Sequence, residues 1–301
     1  MSSPTQPTLR RWATASIVVN IAIVVTGGAV RLTDSGLGCP TWPRCTTDSL
    51  VPTARLDYHS AIEFGNRMLT YVLTAVAVGT LIAAYRARPM RRDVRRLALW
   101  LFIGIPAQAV LGGITVLTDL NPWVVMLHLL ISMDLIALAT LLRKRLDEGD
   151  GPPVALVGPG ERRLAVGVLG LTGAVMYLGT IVTGSGPHAG DAQARRTGLD
   201  PRLLSLVHGW LVALIVAGTV ALWLRTSSLI RRTVALVLAV QVVQGLLGWV
   251  QYATGLPRIV VGLHMLGAGL LVVVTVRMVL SLRARPVVES ASPSASPSSG
   301  V

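Results

Sequence analysis

Three histidines stand inside apolar runs: His128 in VVMLHLL, His208 in LLSLVHGWLVALIV and His264 in RIVVGLHMLGAGL. An ionisable ring in such a run is costly without a partner, so it marks a functional site by default. Two chemistries suit it. The ring can hydrogen-bond a neighbouring helix, or it can ligate a metal, as when two helices hold a haem iron between their imidazoles. Glu63, in IEFGNRM, brings a carboxylate into the same surroundings, four residues before Arg67. It can pair with Arg67 across one helical turn, or serve a bound substrate as base or charge stabiliser. The second reading is favoured here.

The elements that must position these groups follow from composition. Of 301 residues, 52% are hydrophobic and 14% charged, with mean hydropathy +0.64. Apolar stretches long enough to cross about 30 Å of hydrocarbon, roughly 20 residues each, lie near 13–30, 64–85, 97–117, 123–142, 164–183, 202–224, 230–252 and 258–280. The expected fold class is therefore an all-α integral membrane protein with eight transmembrane helices, the first retained and not a cleaved signal. A net charge of +13 raises the question of nucleic acid, but 19 of the 27 basic residues lie in the termini and alternate loops. That pattern sets topology, with both termini cytoplasmic, and meets anionic lipid. No nucleic-acid partner is expected.

The chain repeats itself. Residues 108–128, QAVLGGITVLTDLNPWVVMLH, match residues 244–264, QGLLGWVQYATGLPRIVVGLH, at nine of 21 positions without a gap, including Gln108/Gln244, Gly112/Gly248, Thr118/Thr254 and His128/His264. A duplication of two four-helix bundles follows. The expected layout is a cytoplasmic N-terminus over 1–12, an N-terminal half over 13–142, a cytoplasmic linker over 143–163, a C-terminal half over 164–280 and a disordered cytoplasmic tail over 281–301. His128, His208 and His264 each lie five or six residues, roughly 8 Å, inside the same boundary. For His208 and His264 the matched depth favours a shared haem over separate hydrogen bonds. No Cys/His cluster with zinc-ligand spacing lies in a span. In the N-terminal half the residue expected opposite His128 is Asn66, with Glu63 one turn before it and Arg67 beside it. His59, two turns outward, is read as interfacial and kept as a weaker alternative ligand.

The first long outer loop, VRLTDSGLGCPTWPRC, holds both cysteines, Cys39 and Cys45. A disulfide there would staple a Gly/Pro-rich loop in an oxidising compartment, with a redox role secondary. CxxCH is absent. This loop, the EFGNRM stretch, the three embedded histidines and the duplicated eight-helix layout together resemble the haem A synthase family, over nearly the whole chain apart from its termini. The loop string is the specific part of the resemblance.

The resemblance implies oxidation of a ring methyl of haem O to a formyl group, giving haem A for cytochrome oxidase. It implies a resident haem b on His208 and His264, and a substrate-haem site in the N-terminal half with His128, Asn66, Arg67 and the catalytic acid Glu63. It also implies a Cys39–Cys45 pair, a multi-pass location in the cell membrane, haem O synthase as supplier and an electron-transfer partner. One position departs: members commonly carry E-x-x-H-R-M where this chain has Glu63, Asn66, Arg67 and Met68, so the second axial ligand of the substrate haem is missing. His188, in TGSGPHAGD, is read as a loop residue or a propionate contact, and Arg31 and Arg67 as further propionate candidates. A membrane di-haem b-type cytochrome that only passes electrons is the alternative, and a duplicated transporter is a third reading. Glu63 and the missing fourth histidine favour the enzyme.

Overall fold

A computed structural model describes residues 5–52 and 58–286. Eight helices follow in order: α1 (Thr5–Leu32), α2 (Tyr58–Arg86), α3 (Arg92–Leu117), α4 (Pro122–Arg145), α5 (Pro159–Ser185), α6 (Pro201–Arg225), α7 (Ser228–Ala253) and α8 (Arg258–Ser281). Each contains a stretch long and apolar enough to cross a membrane. They run past the apolar stretches because hydropathy marks only the hydrocarbon, whereas capping sets the ends. Pro122 and Pro201 open α4 and α6, each behind a cap: Asn121 accepts from the Trp123 N–H at 3.0 Å, and Asp200 from the Arg202 N–H at 2.8 Å. Proline costs nothing at that position, where its missing N–H would have had no partner.

Helix α1 packs on α2 and α4, and α3 lies between α2 and α4, closing one four-helix ring; α5 to α8 close a second in the same way. The first ring is filled by Leu73, Leu101, Leu135 and Leu142 among others, the second by Val168, Ile215, Leu222, Val234 and Met278. A third cluster joins them, with Ile21 and Val24 of α1 and Met133 and Ile136 of α4 against Val272 of α8. The fold is thus all-α, built as two four-helix bundles.

The duplication is visible in the backbone. At both the α3–α4 and α7–α8 turns a threonine, Thr118 or Thr254, donates its hydroxyl to the carbonyl four residues back at 2.7 Å. The next two residues turn into the left-handed region: Asp119 and Leu120 at φ 51° and 58°, Gly255 and Leu256 at 74° and 62°. The Leu120 and Leu256 N–H groups then close back on Thr115 and Gln251, each at 2.8 Å.

The two ends of the bundle differ in charge. At one, Arg145, only 5% exposed, pairs with Asp93 and Glu148, while Arg91 donates to the carbonyls of Arg145 and Glu148 at 2.8 Å each. Arg10 reaches the Leu146 carbonyl at the same end. There β1 (Val154–Ala155) pairs antiparallel with β2 (Arg283–Ala284), tying the α4–α5 connection to the chain after α8. Of the residues expected in the tail, Ser281 closes α8 and Arg283–Ala284 form β2 on β1; residues 287–301 lie outside the described residues. Residues 5–12, expected as a terminal segment, already belong to α1. At the other end the two long loops meet, the Gly36 N–H donating to the Gly190 carbonyl at 2.7 Å and Arg258 pairing with Asp34.

Candidate functional site

His128, His208 and His264 lie six, seven and six residues into α4, α6 and α8, about 9–11 Å from the helix starts at the histidine end. Each ring lies against a glycine of the preceding helix. A Cβ on Gly112, Gly179 or Gly248 would stand 3.3, 3.1 or 3.6 Å from Cε1 of His128, His208 or His264. Glycine is therefore what lets α3 and α5 approach these rings, whereas a Cβ at Gly248 on α7 would make ordinary contact.

Their polar atoms answer the question of hydrogen bonding to a neighbour. Among the described residues, Nδ1 of all three rings is buried with no hydrogen-bond partner. His208 has the Val175 backbone as a polar neighbour. Those Nδ1 atoms are closed off from any ligand, so a metal would have to meet the other ring nitrogen, Nε2, which is not among the buried unpaired atoms. The histidine backbone is held instead: Gln108 Nε2 donates to the His128 carbonyl at 2.9 Å, and Gln244 Nε2 to the His264 carbonyl at 2.9 Å. Among the described residues no three His, Cys, Asp or Glu side chains converge as a metal cluster. A haem, which needs only one or two axial imidazoles, suits this arrangement.

In the N-terminal half the diagonal partner position belongs to Asn66, eight residues into α2. It too faces a glycine: a Cβ on Gly27 would lie 3.9 Å from its Nδ2. The Thr26 hydroxyl donates to Asn66 Oδ1 at 2.8 Å. His59 bonds Ser35 Oγ through Nδ1 at 3.0 Å and stacks on Tyr58, which ties it to the outer loop.

Glu63 is 5% exposed and both its oxygens accept hydrogen bonds. Its Oε2 accepts from the Cys39 N–H at 2.6 Å and its Oε1 from Arg67 Nε at 3.0 Å. Arg67 also donates to the carbonyls of Cys39 at 2.9 Å, Thr41 at 3.0 Å and Arg44 at 3.2 Å. The Glu63–Arg67 ion pair is thus present, and it clamps the outer loop onto α2. The disulfide Cys39–Cys45 closes that loop, with both cysteines fully buried. Trp42 from the same loop fills the space over Gly113, next to the glycine that receives His128.

The two propionate candidates outside this clamp are used for loop contacts. Arg31 donates to the His188 carbonyl at 2.6 Å and the Thr183 carbonyl at 2.9 Å, and His188 Nε2 contacts the Leu256 carbonyl at 3.1 Å. They tie α1 to the outer loops of the second bundle.

Several positioning residues escape the sequence reading. Gln108 and Gln244 stand out there only as matched letters, each 20 residues before its histidine. Gly179, Thr26 and Trp42 carry no signal, because what they touch is distant in sequence. Asp134 is a further carboxylate outside that reading: exposed in mid-α4, it lines an apolar groove of about 370 Å³ with Leu138, Leu169 and Val276.

A family model described as cytochrome oxidase assembly protein matches residues 10–191, more than half of the chain. The chain is similar to the heme A synthase of Symbiobacterium thermophilum, 31% identical over 182 residues that cover 58% of each protein. It is similar to that of Geobacillus thermodenitrificans, 33% identical over 115 residues, 37% of this chain and 34% of the relative. The heme A synthase of Lysinibacillus sphaericus is 28% identical over 177 residues, 57% of each. The chain therefore spans from a third to somewhat over half the length of these relatives.

Proposed function

We propose that this chain, which belongs to the cytochrome oxidase assembly protein family, is a haem A synthase, an oxidoreductase that converts the ring methyl of haem O to the formyl of haem A. One observation carries the reading: the second bundle sets two imidazoles at matched depth, while its twin has one, with a buried carboxylate beside the exchanged position.

In this reading residues 164–280 hold the resident haem b between His208 and His264, and the group supplies electron relay when bound. Residues 13–142 receive haem O, with His128 as its axial ligand and Asn66 on the facing helix. Glu63 acts on the substrate as charge stabiliser and proton acceptor, and Arg67 fixes its carboxylate by two of its five donations, the other three holding the loop. The disulfide-closed loop, with Trp42 inserted, shields that bundle from water. The basic end, with both termini, faces the cytoplasm of a cell membrane, following the positive-inside rule. Haem O synthase upstream and an electron-transfer partner complete the set, with anionic lipid at the basic end.

The test is expression in a host that makes haem O but no haem A, followed by pigment extraction. Haem A should appear, and Glu63→Ala should abolish it while the resident haem stays bound. Two tightly held haems with no pigment conversion would instead identify an electron-passing cytochrome.

A further inference from the structure

The two bundles repeat one device: a side chain on the second or fourth helix of a bundle set against a glycine on the helix before it. Three of the four positions are imidazoles, on Gly112, Gly179 and Gly248; the fourth is the Asn66 carboxamide on Gly27. The duplicated chain thus supplies its own control for what Asn66 does. An amide ligates a metal through its oxygen, and here that oxygen accepts the Thr26 hydroxyl at 2.8 Å, which holds it toward α1. The Nδ2 hydrogens donate to no group among the described residues. Asn66 therefore has its acceptor in use and its donors spare, the reverse of what an axial ligand needs.

From this we infer that the first bundle holds its haem through His128 alone, leaving the iron face toward α2 open, and that the Asn66 amide donates a hydrogen bond to a small diatomic ligand bound there. The inference rests on the first bundle being a haem site, as proposed above. A neutral amide suits the task because it is a donor at any pH and, unlike imidazole, does not compete for the iron. The second bundle, with imidazoles on both sides, has no such opening.

The experiment uses the full chain loaded with haemin, total haem being measured as the pyridine haemochrome and ligand binding with carbon monoxide after reduction. The wild type should show two haems per chain, one low-spin and inert, the other high-spin and binding one carbon monoxide. Asn66→His should keep both haems, turn the second low-spin and abolish carbon monoxide binding. Asn66→Leu should keep the high-spin haem and its carbon monoxide, with the C–O stretch moved to higher frequency by loss of the donor. Two low-spin haems in the wild type would overturn the open position, and an unmoved C–O stretch in Asn66→Leu would overturn the amide's role. One haem per chain, lost on His208→Ala, would instead remove the first bundle as a haem site, a separate failure.

Discussion

Gly179 and Gly248 offer a graded test of whether the second bundle's imidazoles serve a haem. A methyl at Gly179 would sit 3.1 Å from His208 Cε1, closer than ordinary carbon contact, whereas at Gly248 the distance to His264 is 3.6 Å, within the normal range. Alanine at 179 must push the ring by a few tenths of an ångström, and valine adds two carbons where the ring now lies. Overpacking of this kind costs about 1–3 kcal/mol, which corresponds to roughly 5- to 150-fold in affinity if it falls on the bound state. Gly248→Ala should therefore keep its haem, Gly179→Ala should release it measurably, and Gly179→Val should lose it. The assay is haem per chain after detergent purification, followed through a competition series with apomyoglobin, and thermal unfolding of the haem-free protein separates ligand loss from misfolding. Full haem retention in Gly179→Val with an unaltered spectrum would refute the placement of His208 as a ligand.

Other perturbations address the supporting shell. Arg67→Ala strands a buried Glu63 carboxylate and should destabilise the protein by about 3–5 kcal/mol, whereas Glu63→Gln added to it should recover part of that loss; a double variant as unstable as Arg67→Ala would show that the charge pair is not the cause. Arg145→Met at the basic end leaves Glu148, with its side chain 6% exposed, without its main partner and should lower the unfolding temperature while haem content per folded chain is unchanged. Gln244→Leu removes the bond to the His264 carbonyl and should weaken haem binding in the second bundle more than Gln108→Leu weakens it at His128 in the first, since Ser132 also donates to the His128 carbonyl; equal losses at the two sites would count against this difference. Asp134→Leu replaces a lipid-depth carboxylate with a residue about 3 kcal/mol easier to insert, and should raise thermal tolerance without changing haem content. A fall in haem content would connect that groove to the haem sites.

How much of this was legible beforehand depended on the range of the interaction. Hydropathy marked eight spans because lipid imposes a nearly uniform requirement on every residue facing it. The gapless match of 108–128 to 244–264 exposed the duplication, and its paired Gln, Gly, Thr and His later proved to be a repeated turn and a repeated backbone clasp. The cysteine pair was readable from proximity in one loop. The helix ends were not, since Pro122, Pro201 and their caps act outside the apolar pattern, and the pairing of β1 with β2 joins segments more than a hundred residues apart.

By itself, then, the amino-acid order determined the membrane class, the twofold plan, the depth of three imidazoles and the exchange of the fourth for Asn66, because each is a matter of local composition or of spacing along one helix. Only the tertiary structure decided what those side chains meet: glycines on neighbouring helices beneath the rings, Thr26 on the Asn66 oxygen, and a Glu63 carboxylate shared between Arg67 and the Cys39 amide. Those contacts depend on how helices rotate and slide against one another, which is set by the sum of many weak packing terms across the bundle and leaves no mark at any single position.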